Sequence, residues 1–372
     1  LSVPRPQIKL AALRNAAIAH TLFAPTSTAR AIARLGFVQA DPIRAPARAQ
    51  DLILRHRAKA YRAGDLERLY PRLALEEDFF VNYGYLPRAT QALLHPRAPR
   101  KAWSPAQAQS AAAVLQFVRA RGVVHPREVD ANFQHGKVKN WFGGSRNAST
   151  QLLDQMHYRG LVRTAGRAGG TRLYAVREAP PCPLDPAAAM DALVDVIVNA
   201  NAPLPQASLM GLVNMLALAA PQWASERRAA LHRALARLAW AEIDGVRWFW
   251  PAGERLGARA PADAIRLLAP FDPLVWDRRR FELLWGWAYR FEAYVPAPKR
   301  VRGYYALPLL WREAVIGWGN LAVRNGKLEA AFGYVAGAAP REPAFKRALA
   351  EELGRMEVFL GLGSSSQSEG DE

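Results

Sequence analysis

The sequence predicts an α+β protein: tandem modules of three helices and a hairpin, followed by a strand-rich C-terminal domain. Three observations carry this reading. Apolar residues recur at helical spacing through the first two thirds of the chain, in segments whose starts are marked by capping residues and prolines. Twice such a run of helices ends in two short strands joined by a glycine-containing turn. From about residue 255 onward the pattern changes to short strands.

The chain has 372 residues, 51% of them apolar, which suits two to four domains, each with its own core. Lysine and arginine number 50 against 32 acids, a net charge of +18. A field of that size points first to nucleic acid and then to anionic membrane surface. The single cysteine, Cys182, lies between prolines and has no partner within the chain, which favours a reducing compartment. No apolar run approaches the ~20 residues needed to span a bilayer, and the N-terminus lacks the apolar core of a secretory signal. The expectation is a cytoplasmic, nucleoid-associated monomer without membrane attachment.

The first domain, 1–100, begins with a helix over 7–20, with Ile8, Leu13, Ala17 and Ile18 at helical spacing. A second helix over 28–34 takes Thr26 or Ser27 as cap and ends at Gly36. An extended stretch, 36–42, follows. Residues 43–61 read as mostly helical, with Pro46 restricting where the regular part begins. Further helix is expected over 65–69 and 75–85, the latter with core aromatics Phe79, Phe80, Tyr83 and Tyr85.

The second domain, 101–180, is the clearest. Ser104-Pro105-Ala106-Gln107 is a capping box that opens a helix running to about Arg121, and His125-Pro126-Arg127-Glu128 opens another. After a loop over 136–144, a third helix spans 146–158, and strands follow over 161–165 and 171–176. Three helices and a hairpin in this order describe a winged helix. After a proline-rich connector at 180–186, the third domain, 184–252, repeats the order. It has helices over 186–200, 206–218 and 225–241, then a hairpin turning at Asp244-Gly245. Residues 7–70 resemble a wingless copy. The last domain, 255–362, has strands over 265–268, 289–295, 303–308, 314–323 and 328–335, and helices over 278–287 and 343–360. Asn325-Gly326 marks its last hairpin, and the spacing suggests a β-barrel-like curled sheet. The serine-rich acidic tail, 363–372, is expected to be disordered.

Between residues 137 and 178 eight bases stand against two acids, Asp154 and Glu178, a density that fits phosphate contacts on a third helix and wing. None of the seven histidines sits at the i, i+4 spacing of a helical metal pair, and no metal is expected. Neither Walker-type nor dinucleotide-type glycine spacing occurs, and no cofactor is expected. A nucleophile elbow is likewise missing. What remains is Gly36-Phe37-Val38-Gln39-Ala40-Asp41-Pro42. In an extended segment Gln39 and Asp41 share a face, and the bases Arg44, Arg48, Arg55, Arg57 and Lys59 follow. On the residues alone the pair is either a reactive amide and carboxylate, or a helix cap ahead of proline with a glutamine bonding backbone.

The string 35–43, Leu-Gly-Phe-Val-Gln-Ala-Asp-Pro-Ile, with Arg48 beyond it, resembles the signature of the winged-helix DNA glycosylases that repair alkylated and interstrand-crosslinked DNA (YcaQ-like, glutamine-x-aspartate branch). The strings at 268–274, 290–296 and 303–308 resemble the same family's C-terminal domain. The resemblance covers roughly residues 7–360. It implies tandem winged helices plus a β-barrel around a DNA-binding cleft, with Gln39 and Asp41 as the catalytic pair and the broader substrate range of the aspartate branch. Where many members carry a histidine run, this chain has Gln50-Asp51-Leu52. The implied partner is damaged double-stranded DNA, with Arg44, Arg48, Lys137, Lys139, Arg146, Arg163, Arg167, Arg172, Lys299 and Arg300 as candidate contacts. The implied activity is monofunctional excision of N7-alkylguanine-type purines, including unhooking of crosslinks. The alternative from another class is a non-catalytic winged-helix protein, either a DNA-binding regulator or a damage-binding protein.

Overall fold

The computed structural model describes residues 8–98, 101–139, 145–178, 182, 184–254, 256 and 263–362; the expected tail and part of the proline connector lie outside these. The chain folds as two compact units. One comprises the N-terminal residues through Leu66, Val196–Gly211 and the chain from Ala234 onward, and the other Glu67–Asp195 with Leu212–Arg233.

In the first unit the helix Leu10–Thr21 is followed by Thr28–Leu35, whose start is capped by the Ser27 hydroxyl accepting from the Arg30 amide. Gly36 closes that helix in the left-handed region at φ +68, with its N–H donating to Ile32. A Cβ there would stand 2.7 Å from Val196 Cγ1, so glycine is required on both counts. The expected helix over 43–61 shrinks to Ala49–Leu54. Pro46 offers no amide, and the Asp41 side chain captures the Ile43 amide, so a helical ladder cannot begin earlier.

The C-terminal part of this unit is a four-stranded antiparallel sheet in the order Ile265–Leu267, Leu307–Trp311, Ala314–Arg324, Lys327–Tyr334. The order is linear, and among the described residues its outer strands are not paired to each other. It is an open sheet rather than a closed barrel. Asn325 (φ 51) and Gly326 (φ 73) form the expected two-residue turn. The closing helix Pro343–Leu360 packs on this sheet, with Phe345 edge-on to Trp311 at 5.5 Å. The expected strand over 289–295 is not present, and that over 303–308 starts only at Leu307. The backbone amides of Arg302 and Gly303 donate instead to the buried carboxylate of Glu292, at 2.7 and 3.2 Å. The hairpin Ala239–Ile243/Val246–Trp250 turns at Asp244-Gly245, both with positive φ, and is joined by Leu204–Pro205. The helix expected over 225–241 is therefore shorter, Arg227–Arg237, because its last residues enter this sheet.

In the second unit Pro105–Arg121, Pro126–Phe133 and Ala148–Tyr158 are helices, and Val123–Val124 pairs with the hairpin Val162–Ala168/Thr171–Val176. Both capping boxes form. Val114, Val118, Val129, Leu153, Met156 and Val162 make the core. Short paired strands, Lys137–Lys139 in the expected loop and Ser145–Asn147 at its end, delay the helix expected over 146–158 to Ala148.

The larger departure is at 75–85, where a hairpin, Leu75–Phe79 with Tyr83–Pro87, replaces the expected helix. Its first strand buries three consecutive acids. Glu76 takes Arg88 and Arg163, Glu77 takes Arg167, and Asp78 takes Arg97 at 2.8 Å, His95 at 2.8 Å and Gln91 at 3.0 Å. Burial alone would raise Asp78, but Arg97 and the His95 bond overcome it and hold the carboxyl well below its usual range. Those partners come from residues up to 90 positions away, so tertiary pairing overrides the helix propensity of Leu and Glu. Among the described residues no helix is long and apolar enough to cross a membrane.

Candidate active site

The motif after Gly36 runs as an extended segment, with Val38–Gln39 a short strand. Both Gln39 and Asp41 are buried, at 6% and 9% exposure, but so is Val38, so both faces of the segment are covered. The Asp41 carboxylate accepts the Ile43 amide at 2.9 Å, a local turn two residues long. It caps no helix, since the next helical residue is Ala49. Its own amide donates to Oε1 of Gln50 at 3.3 Å. Thus Gln50, on the helix Ala49–Leu54, holds the backbone of Asp41 in place. Next to it Asp51 accepts the Tyr61 hydroxyl at 2.7 Å, and that hydroxyl accepts from the Leu66 amide.

Burial raises the pKa of Asp41, and the Ile43 bond opposes this only in part. Its carboxylate is therefore a stronger base than an exposed aspartate. Gln39 Oε1 is buried without a hydrogen-bond partner, an arrangement that native interiors keep rare. The hydroxyl of Tyr305 is buried and likewise unpartnered. Burial first, and then the charge of Asp41, push the Tyr305 pKa well up, so its proton stays available to donate. Asp41 spends one bond on the Ile43 amide, whereas the Gln39 amide oxygen and the Tyr305 hydroxyl have no protein partner; an acceptor and a donor of this kind are able to orient a water molecule. Tyr305 also lines a cavity of about 440 Å³ with Ala45, Tyr304, Asn320, Arg324 and Glu329. Asp41 itself is not on that wall. Its link to the cavity runs through Tyr305.

Gln50 and Tyr305 were not among the candidates drawn from sequence. Tyr305 lies in the string 303–308 and Gln50 begins Gln50-Asp51-Leu52, so both were visible as text, but nothing local marks either as a neighbour of Asp41. Replacing Gln50 by Leu keeps volume and removes the acceptor of the Asp41 amide. This variant is expected to lose about 1–3 kcal/mol of stability, the scale of an unsatisfied buried donor, read as a lower denaturant midpoint; an unchanged midpoint would refute the positioning role.

The candidate DNA contacts divide. Arg44, Lys137 and Lys299 are exposed, and half-buried Arg48 immediately precedes the helix Ala49–Leu54. Arg300 donates to Val295 O at 2.8 Å, with its guanidinium 5.0 Å from the centre of the Tyr304 ring. The side chains of Lys139 and Arg146 lie outside the described residues. Arg163 and Arg167 are committed to the buried Glu76 and Glu77, and Arg172 bridges Asp154 at 3.3 Å while donating to the Tyr83 hydroxyl. The structure gives these three partners within the protein, and for Arg163 and Arg167 those partners are buried acids that need a counter-charge. Arg55 and Arg57, read as part of a basic run after the motif, are also internal, pairing with Glu352 and Asp272. His56 and His157 are buried, which lowers both, His157 to about 4, so neither carries charge near neutral pH.

A family model described as DNA glycosylase AlkZ-like matches residues 32–359. Among solved structures the chain is similar to the Streptomyces sahachiroi DNA glycosylase AlkZ, with a TM-score of 0.59 and 14% identity, covering 95% of this chain and 96% of that one. At this identity the likeness is one of fold.

Proposed function

The chain belongs to the AlkZ-like DNA glycosylase family, and from that premise we propose that it is a monofunctional DNA glycosylase that hydrolyses the N-glycosidic bond of N7-alkylguanine-type purines, including those in interstrand crosslinks. The observation that carries this reading is the buried motif itself: a carboxylate of raised basicity, Asp41, two residues along the chain from Gln39, whose amide oxygen is buried and unpartnered. The helix, strand, helix, helix, hairpin order at 105–176 is read as a winged helix, and exposed Arg44, Lys137 and Lys299 as phosphate contacts.

An N7-alkylated purine is cationic, so it leaves without an acid to protonate it. The difficult parts are positive charge on the deoxyribose and delivery of water to C1′. Asp41 stabilises the oxocarbenium-like transition state and takes the proton of the attacking water. Gln39 Oε1 accepts that water's second hydrogen, and the Tyr305 hydroxyl donates to the water or the carboxylate. The water oxygen forms the new bond to C1′ as the C1′–N9 bond breaks, and the neutral alkylpurine departs with the bonding pair.

The test is incubation of the protein with a duplex containing N7-methylguanine, then assay of free base and of alkali-labile abasic sites. Free base with no strand cleavage before alkali supports the reading. No base release, together with a footprint on one defined sequence, would identify a DNA-binding regulator instead. The pH profile is a second check. Asp41 acts as the carboxylate, so release falls as pH drops through its pKa, and burial sets that limb above about 3.9, the value of an unperturbed aspartate. A limb at or below that value would refute the assignment.

A further inference from the structure

The segment between Glu292 and Tyr305 is fixed more firmly than its lack of regular structure suggests. The buried Glu292 carboxylate accepts the amides of Arg302 and Gly303 at its base. Arg300 Nε closes the loop on Val295 O at 2.8 Å, and Asn320 Nδ2 donates to Arg302 O at 2.7 Å. Pro296 begins a short 3₁₀ turn, Ala297–Lys299, which limits the backbone further. Gly303 has φ +118, where an L side chain is strained, and a Cβ there would run into the Asn320 side-chain amide that holds Arg302 O.

This clamped loop presents Tyr294 and Val301 at 81% and 76% exposure, the highest values among the large apolar side chains of the described residues. Single exposed apolar residues need no explanation. Two of them on one rigid loop, beside exposed Lys299 and half-exposed Tyr304, do. The loop is also connected to the site. The Tyr294 ring meets Phe291 edge-on at 5.9 Å, and Phe291 meets Tyr305 edge-on at 5.4 Å, the residue on which Asp41 acts. An aromatic ladder thus runs from the loop tip to the candidate catalytic carboxylate.

We propose that residues 294–301 form a wedge for duplex DNA: Tyr294 and Val301 enter the base stack beside the lesion while Lys299 holds the adjacent phosphate. A net charge of +18 selects a polyanion as the occupant. A flat ring and a branched apolar side chain on a rigid support are suited to opening a base step, and the open step exposes the glycosidic bond to a water held at Asp41. The inference rests on the glycosylase reading for its purpose, but its test does not depend on turnover.

The probe is a duplex with 2-aminopurine beside N7-methylguanine, bound by full-length protein carrying Asp41→Asn so that chemistry does not interfere. The parent is expected to raise 2-aminopurine fluorescence severalfold. Adding Tyr294→Phe should leave the signal intact and Tyr294→Ala should abolish most of it, with melting temperature unchanged because the side chain is exposed. In the active protein, Tyr294→Ala should slow excision from the duplex about tenfold, in line with the loss of one base–aromatic stack. Excision from the same strand without its complement, already unstacked, should be unaltered. The wedge is overturned if the parent raises no fluorescence, if Tyr294→Ala matches Tyr294→Phe, or if duplex and single-strand excision fall together. A parent that unstacks the base while the active protein releases none supports the wedge and removes the glycosylase reading.

Discussion

Asp41→Asn is expected to leave a folded protein that binds duplex DNA as the parent does and releases N7-methylguanine about 10²–10³ times more slowly, the range for losing one preorganised electrostatic contact to a transition state. Asparagine keeps an oxygen where Asp41 accepts the Ile43 amide, so the turn survives. What goes is the charge and the basicity. The sign of the stability effect separates chemistry from folding. Burial raises the pKa of Asp41 in the folded state, so ionising it costs stability as pH rises through that pKa. The asparagine variant should therefore melt no lower than the parent at neutral pH. Single-turnover excision, duplex affinity and melting measured together check all three statements. Loss of activity with a lower melting temperature would mean that the turn, rather than the charge, had been broken.

Arg57→Met is expected to destabilise the protein by about 3–5 kcal/mol, the cost of stranding one member of a buried ion pair. Both partners are fully buried, and Arg57 grips Asp272 through two bonds of 2.8 and 2.9 Å while also donating to the carbonyls of Thr21 and Ile53. Methionine fills much of the volume but leaves the Asp272 carboxylate with only the backbone at Leu274 among its other bonds. The pair also ties the segment that carries Gln50 to the segment that leads into the C-terminal sheet. The double variant Arg57→Met, Asp272→Leu should recover most of the loss, because it removes the uncompensated charge. Denaturant midpoints for the parent and the two variants decide the matter. A loss below about 1 kcal/mol in the single variant, the scale of an exposed pair, would show that this bridge is not what joins the two segments.

Much of the local architecture is legible in the sequence. Caps, prolines and glycines act within a turn or two of themselves. Ser27, Ser104, His125, Gly36, Asp244-Gly245 and Asn325-Gly326 accordingly mark helix starts, a helix end and hairpins where the structure has them. Gln39 and Asp41 could be singled out because two residues of an extended segment need no other part of the chain to be neighbours. The failures share a cause. Residues 75–79 form a strand because Arg88, Arg97, Arg163 and Arg167 reach its three acids. Glu292 binds two amides that an expected strand would have used for pairing.

The sequence by itself determined where helices and tight turns begin and end, since those follow from backbone sterics and bonds a few residues long. Only the tertiary structure decided which cations are free for a polyanion and which neutralise buried acids, since a count of arginines does not reveal their partners. The same holds at the motif. Gln50 is nine residues from Asp41 and Tyr305 lies much further along the chain, and neither position predicts proximity. Closing the chain removed water from all three groups, and that desolvation turned an ordinary aspartate into a carboxylate with raised basicity.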